Sequence, residues 1–96
     1  MTYEWDPAKA AANVRKHGVS FEEAASVFLD PAALTFLDPD HSEDEERVIT
    51  IGRSSRQRVL FVAHAERKDW LRIISARRAT RREQEQYEEG IDEATP

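Results

Sequence analysis

The residues that could do chemistry are cationic. Arg72, Arg77 and Arg78 lie on or just after one strand-like run, and Arg81 and Arg82 open the helical segment that follows. A guanidinium stays charged at every relevant pH and clamps a phosphate through paired N–H bonds. Backbone N–H groups at a helix start, where Arg81 and Arg82 fall, attract the same anions. Other chemistries lack their residues. Gly18, Gly52 and Gly90 make no glycine-rich phosphate loop, there is no HExxH pattern, and no cysteine is present for thiolate catalysis, disulfides or Cys-ligated zinc. The acidic run from Asp38 to Glu46 offers oxygen ligands but reads as a solvated loop, so neither a metal nor another cofactor is expected. Histidine is the usual proton shuttle. His41 falls inside the acidic run, His17 stands beside Lys16 at a helix end, and His64 reads as a structural residue of the strongest strand.

A phosphodiester suits such a set. RNA can be cut without a metal, because its own 2′-hydroxyl, once deprotonated, attacks the neighbouring phosphorus while the 5′-oxygen leaves with a proton. The transition state carries extra negative charge on phosphate oxygens, which preorganised Arg and Lys stabilise. DNA lacks the 2′-hydroxyl, so this route selects RNA.

Charge patterning sharpens the point. The 96-residue chain has a net charge of −5, which alone argues against a nucleic-acid binder. Yet residues 51–82 hold 10 Lys/Arg against 2 acids, net +8, between a first half with 4 Lys/Arg against 11 acids and a last stretch, 83–96, with 6 acids and no base. The middle block is as basic as many nucleic-acid binders. The longest apolar run, Val59 to Ala63, is far too short to span a bilayer. With no cysteine and no apolar leader, a cytoplasmic protein is expected.

The elements that must position these groups can be read in order. Thr2 to Trp5 is a short β opening. Asp6-Pro7 reads as an N-cap followed by proline at the first helical position, and that helix stops at Gly18. Lys9, Asn13 and Lys16 share its polar side. Ser20 with Glu23 makes a capping box for a second helix, whose stripe is Phe21, Ala24, Ala25 and Phe28 and which ends at Asp30-Pro31. Strands follow at 33–37, 47–52, 58–65 and 70–76, the last three joined by short polar turns as in an antiparallel meander. Thr80 with Glu83 caps a last helix, 81–89, that is polar nearly all round and anchored only by Tyr87 and Ile91.

The expectation is therefore one α+β domain over residues 1–90, of order β-α-α-β-β-β-β-α, with a frayed tail at 91–96. Two N-terminal helices pack on one face of a small antiparallel sheet, the C-terminal helix follows, and the other face is left open for a ligand. Strand alternation puts Arg72, Ile74, Ala76 and Arg78 on one face and Leu71, Ile73, Ser75 and Arg77 on the other.

Residues Tyr3 to Gly90 resemble the BrnT family, toxins of bacterial type II toxin–antitoxin modules. The matching stretches are Tyr3 to Lys9, Asn13 to Ala24 (with KHGVSFEEA), Glu46 to Gly52, Arg72 to Thr80 (RIISARRAT), then Glu83 and Tyr87-Glu88. The resemblance implies a RelE-like ribonuclease fold and metal-independent RNA cleavage that arrests translation. It also implies a BrnA-like antitoxin partner, through which alone operator DNA is bound, and no membrane. The family motifs fall on Trp5, Lys9, Lys16, His17, Arg72, Arg77 and Tyr87. They assign phosphate charge to Arg72 and Arg77 and proton transfer to Lys16 or His17. Arg72 and Arg77 can share a phosphate only if the strand bends or ends between them; otherwise Arg78 is the substitute. Trp5 would stack on a base, Tyr87 would contact the nucleotide or hold its helix, and Lys9, Arg78 and Arg81 would bind substrate. The alternative is a non-catalytic module that binds an antitoxin or DNA through the same arginines.

Overall fold

The computed structural model describes residues 2–38 and 46–90. The acidic run 39–45, with His41, and the tail expected at 91–96, with Ile91, lie outside the described residues. The elements are β1 (Thr2–Glu4), α1 (Pro7–His17), α2 (Phe21–Ser26), a single 3-10 turn (Val27–Leu29), β2 (Leu34–Leu37), β3 (Arg47–Arg53), β4 (Val59–Arg67), β5 (Trp70–Arg78) and α3 (Arg81–Glu89). None of the helices is long and apolar enough to cross a membrane.

The helix ends are where their caps put them. Asp6 Oδ1 accepts from the N–H groups of Ala8 and Lys9, and Pro7, which has no N–H to leave unpaired, opens α1. Gly18 closes α1 at φ 68°, a left-handed conformation that costs other residues on the order of 1 kcal/mol. Ser20 caps α2 through its hydroxyl alone, and the capping box expected there is not completed, because the Glu23 carboxylate turns to Arg58 and Ser54; Thr80 with Glu83 forms the full reciprocal box on α3. The second helix tightens to 3-10 geometry at Val27, earlier than the apolar stripe implied, and Asp30 stops it by accepting from the Ala32 N–H.

The sheet order is β1-β5-β4-β3-β2. Strands β2 to β5 form the expected antiparallel set, but β1 runs parallel to β5, with Tyr3 opposite Leu71, so the sheet is mixed. The reason is topological. Helices α1 and α2 carry the chain across the sheet to its far edge, and the meander returning from β2 ends beside β1 pointing the same way.

Each face has its own core. Val19, Phe21, Ala24 and Val27 pack with Leu60, Val62, Leu71, Ile73 and Ala76 beneath α1 and α2. Burying a side chain such as Phe21 is worth about 2 kcal/mol. On the opposite face Ile49, Ile51, Val59 and Ala63 gather under Tyr87 of α3. That face is therefore covered at one end rather than left wholly open.

The expected strand alternation fails in β5. A bulge at Ala63/His64 makes Ala63 pair with Ser75 and His64 with Ile73, so that Ile74 has no partner on β4. A bulge inserts one residue and reverses the parity beyond it. Arg72, opposite Ala65, and Arg77, opposite Phe61, consequently share the α3 face, while Arg78, opposite Leu60, turns to the α1/α2 side.

Beyond Arg72 the outer edge of β5 has no strand beside it among the described residues, because β1 ends at Glu4. Asn13 of α1 takes over as a stand-in peptide. Its Oδ1 accepts from the Ala76 N–H at 3.1 Å, and its Nδ2 donates to the carbonyls of Ala76 and Val19, both at 2.8 Å. This fastens α1 alongside β5, with the first turn of the helix near Arg72.

Candidate functional site

The site is built on one row of the sheet. Arg47 of β3 and Arg72 of β5 both lie opposite Ala65 of β4. Paired residues share a face, so the two arginines flank Ala65, which is almost wholly covered. At the edge of β5, where β1 has ended, the first turn of α1 adds Asp6 and Lys9. The four side chains, with Ile73 and Ile74, line a cavity of about 80 Å³. Among the described residues neither Lys9, Arg47 nor Arg72 makes a side-chain hydrogen bond or ion pair, and Arg47 Nε is buried without a partner. Three cations facing one carboxylate leave the cavity with an excess of positive charge and donors ready for an anion.

The other cations of the basic block are mostly committed. Arg77 donates from Nη1 and Nη2 to the two oxygens of Glu83, at 2.8 and 2.9 Å, and its guanidinium lies 4.0 Å from the centre of the Phe61 ring. Burial pushes the Glu83 carboxyl up, but the bonds from Arg77 and Thr80 outweigh it and hold it below the ordinary range. Arg77 also stands away from Arg72, since Phe61 and Ala65 are four residues apart on β4, about 13 Å at about 3.3 Å per residue. Arg58 binds the Glu23 carboxylate through two N–H groups and the Gly18 carbonyl at 3.1 Å, while Ser54 Oγ donates to the same carboxylate at 2.6 Å. Arg81 is exposed and pairs with Glu85 one turn on.

The remaining sequence candidates fall elsewhere. Lys16 is exposed and His17 half-buried at the last turn of α1, about 10 Å along the helix from Lys9. Trp5 packs edge-on against Phe21, ring centres 6.0 Å apart, as part of the core beneath the helices. Tyr87 is buried; its hydroxyl donates to Asp30 Oδ2 at 2.6 Å, and Arg53 lies 5.7 Å above its ring. Asp30 also accepts from the Arg53 N–H, so Tyr87 ties α3 to the loop after α2. His64 is wholly buried, with Nε2 2.8 Å from Thr50 Oγ1 and its ring edge-on to Phe28, and loss of water pulls its pKa down to about 4. It stays neutral in the core, as a structural histidine does.

The cavity thus unites Lys9 and Arg72, which the sequence singles out, with Arg47 and Asp6, which it does not. Asp6 reads from sequence only as a cap. Arg47 follows an acidic run and looks like part of a solvated strand start. Its local sequence does not mark it; strand register brings it in, setting Arg47 and Arg72 on either side of Ala65.

Two comparisons bear on this arrangement. The model of the family described as ribonuclease toxin BrnT of the type II toxin–antitoxin system matches residues 5–83. The crystal structure of the Brucella abortus ribonuclease toxin BrnT superposes with a TM-score of 0.64 at 22% identity, covering 84% of this chain and all of that one, so the two share a fold. No curated protein matches. Lys9, Arg47 and Arg72 all lie inside the matched stretch, and with the family model spanning most of the chain, the protein belongs to the BrnT family of ribonuclease toxins of type II toxin–antitoxin systems.

Proposed function

We propose that the chain cuts RNA in the cytoplasm through the substrate's own 2′-hydroxyl, without a metal ion, arresting translation until a BrnA-like antitoxin binds it. Operator DNA is reached only through that antitoxin. The observation that carries this reading is the cavity of Lys9, Arg47 and Arg72, cations without a partner among the described residues in a chain of a ribonuclease family. Arg72 and Arg47 hold the scissile phosphate and stabilise the charge that grows on its oxygens. Lys9 stands where its ammonium can hand a proton to the departing 5′-oxygen. Lys16, His17, Arg78 and Arg81 lie outward and guide flanking phosphates. Arg77 and Tyr87 act by position, holding α3 on the sheet through Glu83 and Asp30.

Arg72→Ala tests the reading. In EDTA-containing buffer, RNA cleavage is expected to fall by about a hundredfold or more, the scale for losing one transition-state donor. Expression of the variant alone is expected to leave growth unimpaired while circular dichroism shows it folded. A second reading, a non-catalytic module that binds an antitoxin or DNA, draws on the Arg77–Glu83 pair and on the distance of Lys16 and His17 from Arg72. It predicts no RNA cleavage by the wild-type chain at any salt concentration, with partner binding intact.

A further inference from the structure

The reaction needs a base for the 2′-hydroxyl, and the residues nominated for it from sequence stand at the far end of α1. We infer that Asp6 is that base, which rests on the reading of the cavity as the scissile-phosphate site. Asp6 is the one carboxylate among the described residues that line the cavity. Its two oxygens have different tasks. Oδ1 is engaged by the Ala8 and Lys9 N–H groups at 2.8 and 3.3 Å, which fixes the side chain at the helix start. Oδ2 makes no hydrogen bond or ion pair among the described residues, so one lone-pair-bearing oxygen is held beside Lys9 and Arg72 without a proton to accept. Glu4, the nearest acid in sequence, is exposed on β1 and does not line the cavity.

Size and charge both fit. A cavity of about 150 Å³ holds a benzene ring; this one, about 80 Å³, takes a phosphoryl group and leaves the nucleobase outside. Three cations against one carboxylate still favour an anion, so Asp6 does not bar the phosphate it serves. In the step assigned here the 2′-O–H proton passes to Asp6 Oδ2 as the O2′–P bond forms. The P–O5′ bond breaks, and the 5′-oxygen takes a proton from the Lys9 ammonium. The products are a 2′,3′-cyclic phosphate and a 5′-hydroxyl. The Lys9 amine and the Asp6 carboxylic acid then return to their starting states by exchange with water.

The position offers an unusually clean test, because asparagine caps a helix as well as aspartate does. Asp6→Asn keeps an oxygen for the Ala8 and Lys9 N–H groups and removes only the base. Cleavage of a labelled single-stranded RNA oligonucleotide by Asp6→Asn is expected to be about a hundredfold or more slower than by wild type. Its thermal midpoint and its affinity for the same oligonucleotide carrying 2′-O-methyl groups are expected to stay close to wild type. Asp6→Ala, which loses cap and base together, is expected to melt lower as well. An Asp6→Asn variant that cleaves within about threefold of wild type overturns the assignment. Arg72→Ala is measured beside it. If Arg72→Ala cleaves normally, the cavity reading falls and the base with it. If Arg72→Ala is inert while Asp6→Asn is active, the base assignment alone falls.

Discussion

At the scale of single residues, the protein separates charges that work from charges that hold. Arg58 and Arg77 sit in the same basic block as Arg72, yet each is committed to a carboxylate, Glu23 and Glu83. A buried carboxylate left without its cation would be strongly unfavourable, which ties Arg58 to structure whatever RNA does. His64 belongs to the holding group and sets a pH dependence. Its folded pKa of about 4 lies below its ordinary 6.5 because burial strips water from the ring. Above pH 6.5 the folded and unfolded chains are both neutral there, and stability is complete. As pH falls from 6.5 towards 4, only the unfolded chain takes the proton, and stability is lost, with a ceiling of about 3 kcal/mol. Urea unfolding at pH 7 and pH 5 is expected to show a loss of about 2 kcal/mol that His64→Phe largely abolishes. The carboxylates Glu23, Asp30 and Glu83, all held below their ordinary values, contribute losses only at lower pH, as pH falls through their folded values.

At the scale of elements, β5 is the organising strand. β1 covers the first part of its outer edge, Asn13 of α1 covers the next, and the bulge at Ile74 sets which arginines share a face. Asn13→Ala would leave the Ala76 N–H and two carbonyls unpaired in a buried place. A loss of about 3 kcal/mol or more in chemical denaturation is expected, since three groups are orphaned and each costs about 1–3 kcal/mol. The loss would loosen α1 and move Asp6 and Lys9 relative to Arg72, so cleavage is expected to drop in the fraction that remains folded. Much of this scale was legible beforehand. Asp6-Pro7, Gly18, Ser20, and Thr80 with Glu83 mark helix ends by local hydrogen bonding, which sequence neighbours alone decide, whereas the Glu23 carboxylate left its expected box for the distant Arg58 and Ser54. The bulge was not legible, because it is a property of how two strands register, and alternation within β5 carries no trace of it.

At the scale of the whole molecule, an acidic chain concentrates a small positive site. On the proposed function, the net charge of −5 repels RNA at long range, while the three cavity cations meet the scissile phosphate and Lys16 and Arg78 meet flanking phosphates at contact. Binding is then expected to depend on salt through those contacts. For three neutralised phosphates on a single strand, the slope of log affinity against log salt is expected near −2. A titration of 2′-O-methyl RNA between low and moderate salt checks it; a slope near zero would place recognition elsewhere.

By itself the sequence determined the helix ends, the run of strands, the α+β class and the concentration of positive charge after residue 50, since each rests on neighbours a few positions apart. It also carried the family motifs. Only the tertiary structure decided that β1 lies parallel to β5, that Arg72 and Arg77 share a face yet stand apart, and that Arg47 and Asp6 meet Lys9 beside Arg72. Those outcomes depend on strand register and on a helix crossing the sheet, which join residues up to sixty-eight positions apart, as Thr2 and Trp70 are. Side-chain chemistry is written locally, whereas which side chains confront one another is settled by packing.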